Sequence, residues 1–478
     1  MSDKPMFDKP MSKKHASRKP LTDDPELGDD ALFQSEADAV YAELLQRVGE
    51  ANPRPRLDAT RRAVELLGDP QRAYPIIHIT GTNGKTSTSR IAESILRAHG
   101  LRTGLLTSPH LVRVNERIMI DGVPISNEAF VANWRDIAPY LAMVDAELQE
   151  QGDLPLTFFE AFTVLAFASF ADAPVDVAVI EVGMGGEWDS TNVADGQVAV
   201  FAPIALDHTA RLGSTIAEIA RTKAGIIKQD AIVVTAAQTP EALAELTRAA
   251  ASRNATVSVQ GEQFSLVGNT VAVGGQLITV KGRAGTYSDL FLPLFGDHQA
   301  QNAAVAIAAV ESFLGDGSQA IAQDVIAEGL ATATSPGRLQ VIGVDPSVIV
   351  DAAHNPHGAL AVASAMGEYF TFEDIAIVLG VLEDKDAEHI IQALAPLTKR
   401  FHVTTSTSER AIAPDDLAYL VRDIAGADAT FEFDTLQEAV DEARRWADEA
   451  AGRAVLVTGS ITLVGETMAL AAAQGWLR

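Results

Sequence analysis

Lys85 lies in a glycine-rich run, Gly81-Thr82-Asn83-Gly84-Lys85-Thr86-Ser87, directly after the apolar stretch 75–80. Glycines let backbone amides approach phosphate oxygens, and a helix opening at Thr86 adds the partial positive charge of its N-terminus. Lys85 supplies a full charge, and the Thr86 and Ser87 hydroxyls can face phosphate or metal. The general nucleotide pattern GxxxxGK[ST] is incomplete, because Ile79 stands where its first glycine belongs. Alone, the run also fits an ordinary strand-to-helix turn.

Three further groups follow apolar runs that read as strands. They are Ser108 in Thr107-Ser-Pro-His-Leu111, Glu181 in Glu181-Val-Gly-Met-Gly-Gly186, and His208 in Leu206-Asp-His208. Open α/β sheets bind ligands at the carboxyl ends of their strands. A carboxylate placed straight after a buried strand is costly unless it is paired or meets a cation. Together Ser108, Glu181 and His208 suit Mg²⁺, which takes few protein ligands and completes its shell with phosphate oxygens and water. Singly, each has an equal structural account: a salt-bridged or capping Glu181, a turn serine before proline, a hydrogen-bonded loop histidine. Their convergence beside a phosphate loop favours the site. Lys223 lies one helix beyond His208, where a surface lysine at a helix C-terminus is the alternative.

The elements that must position these residues alternate. Helical periodicity covers 35–49 and about 57–67; a strand at 75–80 leads into the loop and a helix to about 99. Strands follow at 103–107, 175–182, 198–205 and 231–235, with helices at 157–170 and 215–224 among them. Residues 263–294 change character, with β-branched residues alternating around Gly268-Asn269 and Gly274-Gly275, as in a small β-meander. Helices return at 299–314 and 320–330, and Ser335-Pro336-Gly337 marks a break. Beyond it, strands at 347–350, 375–379, 401–404 and 454–458 alternate with helices. The expected fold class is α/β: a large P-loop domain over 35–335 and a smaller Rossmann-like domain over 336–478.

The whole chain has 478 residues, ample for more than one core. Charges of 37 Lys and Arg against 64 Asp and Glu leave −27, which repels polyphosphate backbones and argues against nucleic-acid partners. Anionic substrates must then be met by local cations, backbone amides or metal. The absence of cysteine excludes disulfides and thiolate chemistry. Residues 1–34 read as a disordered tail without a signal-peptide core, and no apolar run has the ~20 residues a membrane span needs. A cytoplasmic monomer acting on small molecules is expected.

The motifs together resemble bacterial folylpolyglutamate synthases, often bifunctional as dihydrofolate synthases, within the Mur ligase superfamily. The resemblance runs from about Leu44 to the C-terminus. Besides the phosphate loop and the runs bearing Ser108, Glu181 and His208, it includes Asn115-Glu-Arg-Ile118, Phe159-Glu160, Asp189, Thr191-Asn192 and Lys223-Ala-Gly-Ile-Ile227. His298-Gln299 with Asn302, Pro336-Gly-Arg338, Asp351-Ala-Ala-His-Asn-Pro356, Asp384-Lys-Asp386 and Thr458-Gly-Ser460 complete it.

The resemblance implies an ATP-dependent amide ligase adding L-glutamate to dihydropteroate or to folylpolyglutamates through an acyl phosphate. It implies that Thr82, Asn83, Gly84, Lys85 and Thr86 hold the ATP phosphates, with Asn302, Arg338 and Asp351 contacting ATP from the linker and second domain. Ser108, Glu181 and His208 would be ligands of two Mg²⁺ ions, and a carbamylated Lys223 would help position the second. Arg56, Leu57 and Asp58, Thr157, Phe158, Phe159 and Glu160, and Trp188, Asp189 and Ser190 would line the pterin site. Asp351 and His354 would serve glutamate, assisted by Ser408 and Arg410. Two departures stand out: Glu187 occupies a position where the family usually has Arg, and Gly459-Ser-Ile-Thr462 lacks a frequent aromatic.

Peptidoglycan-type Mur ligases carry an extra N-terminal domain; only about 45 residues (35–80) precede the loop here, short of the roughly 50 a separate domain needs. A nucleotide-binding switch is a further alternative, and the Asp351 to Pro356 run, read as an amino-acid site, argues against it.

Overall fold

The computed structural model describes residues 31–49 and 54–476, so the expected tail lies almost wholly outside the described residues. A first sheet of eight strands has the order β4-β3-β2-β5-β1-β6-β7-β8. Its members are β1 (Ile76–Thr80), β2 (Thr103–Leu106), β3 (Ile118–Ile120), β4 (Val123–Pro124), β5 (Val177–Glu181), β6 (Val198–Phe201), β7 (Ile232–Thr235) and β8 (Thr256–Val259). All pairings are parallel except those of β3 and β4 at one edge. Every residue of β1 is buried, as expected of a strand covered by helices on both faces. Ile77 and Ile79 join one core with the helices Lys85–Ala98 and Asp297–Gly315; Ile76 joins another with Asn127–Glu150 and Phe158–Asp172.

The strand order places the site. β1 lies between β5 and β6, so the loops leaving all three strands open on one edge. That is the crevice where open α/β sheets take ligands. The helix Asn127–Glu150 and the antiparallel edge β3–β4 are additions to the elements expected from periodicity.

A second sheet of three antiparallel strands, β9 (Ser265–Ala272), β10 (Gly275–Lys281) and β11 (Thr286–Leu292), is the meander. Its first turn is made at Gly274, whose φ of 77° suits glycine, while Gly268 and Asn269 lie inside β9 rather than at a turn. Glu311 ties this sheet to the first core, accepting from Arg283 N at 2.5 Å, Gly285 N at 3.2 Å and Tyr287 Oη at 2.7 Å.

The third sheet has six strands in the order β12-β13-β17-β14-β15-β16. They are β12 (Gln340–Val344), β13 (Ser347–Asp351), β14 (Asp374–Leu379), β15 (Phe401–Val403), β16 (Thr430–Glu432) and β17 (Arg453–Thr458), all parallel but for β12. Helices cover both faces, with separate cores.

His402 on β15 is wholly buried and stacks on Phe433 with ring centroids 5.1 Å apart. Its Nδ1–H donates to Ala439 O at 3.1 Å, and Nε2 has no partner. Burial, aided by Arg400, lowers its pKa from 6.5 to about 4. Between those values the unfolded chain binds a proton that the folded chain does not. The stabilisation is therefore complete above pH 6.5 and is lost as the pH falls towards 4, by up to ~1.4 kcal/mol per unit. Urea titrations at pH 7 and pH 5 should show His402→Leu losing roughly 2 kcal/mol less than the parent over that interval. Equal losses would refute the account.

Candidate active site

Directly after β1 the chain turns through Gly81, where a Cβ would lie 2.7 Å from the Cβ of Ala202, and Gly84, where one would lie 2.6 Å from Asn302 Oδ1. Gly84 also has φ 82° and caps the helix Lys85–Ala98. Close approach and positive φ together demand glycine at 84. Thr82 N donates to Pro203 O at 2.8 Å, and its hydroxyl links to Ala205 in both directions at 3.0 Å. The phosphate loop is thus fastened to the loop leaving β6.

Lys85 Nζ donates to two loop carbonyls, Gly81 O and Thr82 O, each at 3.2 Å. Burial lowers its pKa, against the pull of Glu181 and Asp207. Glu181, at the end of β5 and 1% exposed, accepts from Thr86 Oγ1 at 2.8 Å and from Ser108 N at 3.4 Å. Burial raises its pKa, with Lys85 acting in the opposite sense. Lys223 reaches back to Gly81 O at 2.8 Å; burial and then Lys85 bring its pKa down to about 7. His208 has φ 49°, and burial followed by Lys385 lowers it to about 4, leaving it neutral.

Among the described residues no group of three or more His, Asp or Glu side chains is set up to hold a metal. Next to the loop, the site offers the buried carboxylate of Glu181, bonded to the Thr86 hydroxyl, with the Ser108 hydroxyl and a neutral His208 lining the same cavity. So few protein donors, mostly oxygens, fit Mg²⁺ shared with phosphate oxygens and not a cation caged by protein alone.

The C-terminal domain closes on this edge. Asp207 accepts from Lys385 Nζ at 2.8 Å and from Asn355 Nδ2 at 3.1 Å. Burial alone would raise Asp207, but Lys385 and His208 outweigh it and hold the carboxyl far below its ordinary value. Asn83 and Asn355 form a reciprocal amide pair at 3.3 and 3.0 Å, and His357 Nδ1 accepts from Asn83 Nδ2 at 2.9 Å. Asn355 also caps the helix Pro356–Tyr369, its Oδ1 accepting from Gly358 N at 2.8 Å. Asp351 is held by the N–H groups of Leu339 and Ala353 at 2.9 and 2.8 Å. His354 Nδ1–H donates to Ala352 O at 2.9 Å, and burial lowers its pKa to about 4. None of the cross-domain pairs follows from the sequence, although Asp207 and Lys385 sit inside the family-like runs Leu206-Asp-His208 and Asp384-Lys-Asp386.

One cavity of about 1560 Å³ joins these groups. Thr82 through Thr86, Asn302, Arg338, Asp351, His354, Ser108, Glu181, His208 and Lys223 all line it. So do Arg56, Thr157, Phe159, Glu160, Trp188, Asp189, Ser190 and Arg410.

Four expected residues do not. Asp58 points to solvent and, among the described residues, pairs with Arg61 at 2.8 Å, and Leu57 packs against the neighbouring core. Phe158 is buried and stacked on Phe162 with centroids 5.8 Å apart, because helical geometry turns it inward where Phe159 turns outward. Ser408 lies beyond the lining, while Arg410 reaches it and pairs with Asp384 at 3.1 Å. Glu187 is exposed and is not among the lining residues. Arg56 lines the cavity but is fully engaged, with a two-pronged pair to Glu160 at 2.9 and 3.0 Å and a bond to Asp153 at 2.8 Å. Glu160 in turn forms a capping box with Thr157. This pair therefore shapes the cavity wall more than it offers free charge.

Comparison with known proteins gives the same picture over nearly the whole chain. Residues 79–310 match the Mur ligase middle domain, and residues 337–461 match the Mur ligase, glutamate ligase domain. The dihydrofolate synthase/folylpolyglutamate synthase of Mycobacterium tuberculosis is 42% identical, covering 89% of this chain and 92% of that protein. The protein of the same description from Bacillus subtilis is 33% identical over 86% and 94%. Among solved structures, Mycobacterium tuberculosis folylpolyglutamate synthase complexed with ADP superposes with a TM-score of 0.88 at 41% identity, covering 92% and 99%. Escherichia coli FolC in complex with DHPP and ADP gives 0.78 at 31% identity, covering 91% and 98%. No helix among the described residues is long and apolar enough to cross a membrane.

Proposed function

The chain belongs to the Mur ligase family, in its dihydrofolate synthase/folylpolyglutamate synthase branch, and from this we infer that it uses ATP to join L-glutamate to dihydropteroate or to the γ-carboxylate of folylpolyglutamates. One observation carries the reading beyond the family. A single cavity is lined at once by the phosphate loop, by Phe159 and Asp189, and by the C-terminal loops bearing His354 and Lys385. Three substrates must meet in an amide ligation, and this cavity has three kinds of wall.

In the first step an acceptor carboxylate oxygen attacks the γ-phosphorus of ATP, and ADP leaves. In the second the glutamate amine attacks the acyl-phosphate carbonyl, a C–N bond forms, and inorganic phosphate departs as the nitrogen loses a proton. The protein's part is positioning and screening of charge. Thr82 through Thr86 cradle the phosphates, and Lys85 sets its ammonium among their oxygens. Asn302 from the helix Asp297–Gly315, Arg338 from the linker and Asp351 from the second domain hold the nucleotide. Glu181, Ser108 and His208 would hold Mg²⁺, which polarises phosphoryl oxygens and neutralises developing charge when bound. Lys223, with a pKa near 7, has a large neutral fraction at working pH. That is the form that takes up CO₂ as a carbamate with loss of a proton, and the resemblance to the family supports this modification. Phe159, Trp188, Asp189 and Ser190 receive the pterin, and His354 and Arg410 the glutamate. We take residues 35–335 as the ATP-binding unit and 336–478 as the glutamate-binding unit, hinged at Pro336.

The test is an assay of purified full-length protein with ATP, L-glutamate and either dihydropteroate or tetrahydrofolate. ADP release should require glutamate and at least one of these acceptors. ADP release indifferent to both would instead fit a nucleotide switch.

A further inference from the structure

His78 occupies the middle of β1, the strand between β5 and β6, and is 0% exposed. Its neighbours along the strand, Ile76, Ile77 and Ile79, are aliphatic, as a doubly covered parallel strand requires. An imidazole there loses the hydration of both ring nitrogens, and Nδ1 recovers no partner. A valine or isoleucine would fill the strand without that penalty. The residue's only side-chain hydrogen bond among the described residues runs from Nε2 to Thr191 Oγ1, at 2.9 Å.

Thr191 Oγ1 is also 2.5 Å from Asp189 Oδ1. A hydroxyl has one proton, and a carboxylate can only accept. Thr191 must therefore donate to Asp189 and accept from His78, which places the imidazole proton on Nε2. Burial lowers the His78 pKa to about 3, consistent with a neutral ring carrying a single N–H. The bonds run in one direction, from His78 through Thr191 to Asp189. Asp189 is further held by Thr191 N at 3.0 Å on Oδ1 and by Met184 N at 2.9 Å on Oδ2. It is 4% exposed and lines the cavity, beside Gly183, where a Cβ would lie 2.6 Å from the ring of Phe159.

We propose that His78 is a positioning residue for the acceptor pocket: acting through the Thr191 hydroxyl, it fixes the Asp189 carboxylate in the one orientation that receives the N–H donors of the acceptor's ring. The inference rests on the proposed function, in which Asp189 binds the acceptor. A simple turn at Asp189 would need only the Thr191 amide. The hydroxyl link and the costly histidine behind it add rotational restraint, and restraint of a binding anion lowers the entropy lost on binding.

Thr191→Val keeps the side-chain shape and removes the hydroxyl. It should raise KM for dihydropteroate or tetrahydrofolate about 10-fold, the effect of losing one well-placed hydrogen bond, with KM for ATP and for glutamate within about twofold of the parent. Thr191→Ser should recover most of the acceptor affinity. His78→Phe should match Thr191→Val, and the double variant should be no worse than Thr191→Val alone. In ¹⁵N-histidine spectra His78 should appear as the Nε2–H tautomer. If His78→Phe fails to fold, the Thr191→Val and Thr191→Ser pair decides alone. An unchanged acceptor KM in Thr191→Val, or an equal rise in all three KM values, overturns the proposal. Asp189→Asn separates the two levels. If it leaves acceptor KM unchanged, the acceptor reading of Asp189 fails; if it raises KM while Thr191→Val does not, only the role of His78 fails.

Discussion

Lys85→Ala should lower ADP release dependent on acceptor and glutamate by at least ~10³-fold and leave no acyl phosphate to be trapped by hydroxylamine. Among the described residues the ammonium is held by carbonyls, Gly81 O and Thr82 O at 3.2 Å, so no bonded carboxylate there cancels its charge. Glu181 and Asp207 are close enough to raise its pKa, yet burial outweighs them. Such a cation in a secluded site waits for an anion, and the N-terminus of the helix Lys85–Ala98 opens at the same place. The acceptor carboxylate and the triphosphate repel each other, and the charge spread over the transferring phosphoryl group must be met without reorganisation. Alanine removes that charge while leaving a good helix former at the first position of Lys85–Ala98, so the fold should survive and the thermal midpoint should move little. Retention of even a tenth of the parent's glutamate-dependent ADP release would overturn the assignment.

Most of the first sheet is legible in the sequence because its signal is local. A run such as Ile76-Ile-His-Ile-Thr80, followed by glycines and a helical pattern, states strand, loop and helix within some twenty residues. Ser108, Glu181 and His208 are legible for the same reason, each lying directly after an apolar run. The helix Asn127–Glu150 escapes because Pro139 and scattered polar residues blur its periodicity, although Ser126 caps it by accepting from Ala129 N. The misplacing of Phe158 has a different origin. Adjacent aromatics look alike in sequence, and only the register of the helix decides that Phe158 stacks on Phe162 while Phe159 meets the cavity. Strand order is not legible, and with it goes every pair across the domains. Nothing local to Asn83 or Asp207 points to Asn355 or Lys385; those contacts exist because one sheet edge meets another. The hydroxyl of Thr191 beneath Asp189 is hidden likewise, since His78 reaches it from β1, 113 residues earlier in the chain.

The cross-domain pairs lead to the second large effect. Lys385→Met should reduce kcat/KM for glutamate about 100-fold, with ADP affinity changed less than about threefold. Asp207 and Lys385 are 10% and 6% exposed in their side chains and 2.8 Å apart, and each belongs to a different domain. Removing one partner of a buried pair leaves the other charge uncompensated, a cost of about 3–5 kcal/mol where the pair cannot rehydrate. With the proposed hinge at Pro336 it can: opening there would return Asp207 to water. The penalty should therefore fall on domain docking and not on unfolding of either domain. Docking is what brings the glutamate-binding loops to the acyl phosphate, so a shifted docking equilibrium lowers the effective concentration of the amine at the carbonyl. Asp207→Asn should act in the same direction, and because both changes break one link, the double variant should fall well short of the product of the single losses. The open population should also be visible without turnover, as faster proteolysis near residues 335–337 in the ADP complex. Multiplicative losses, or a linker cut at the parent's rate, would mean that the pair does not hold the domains together and that Lys385 acts on substrate directly.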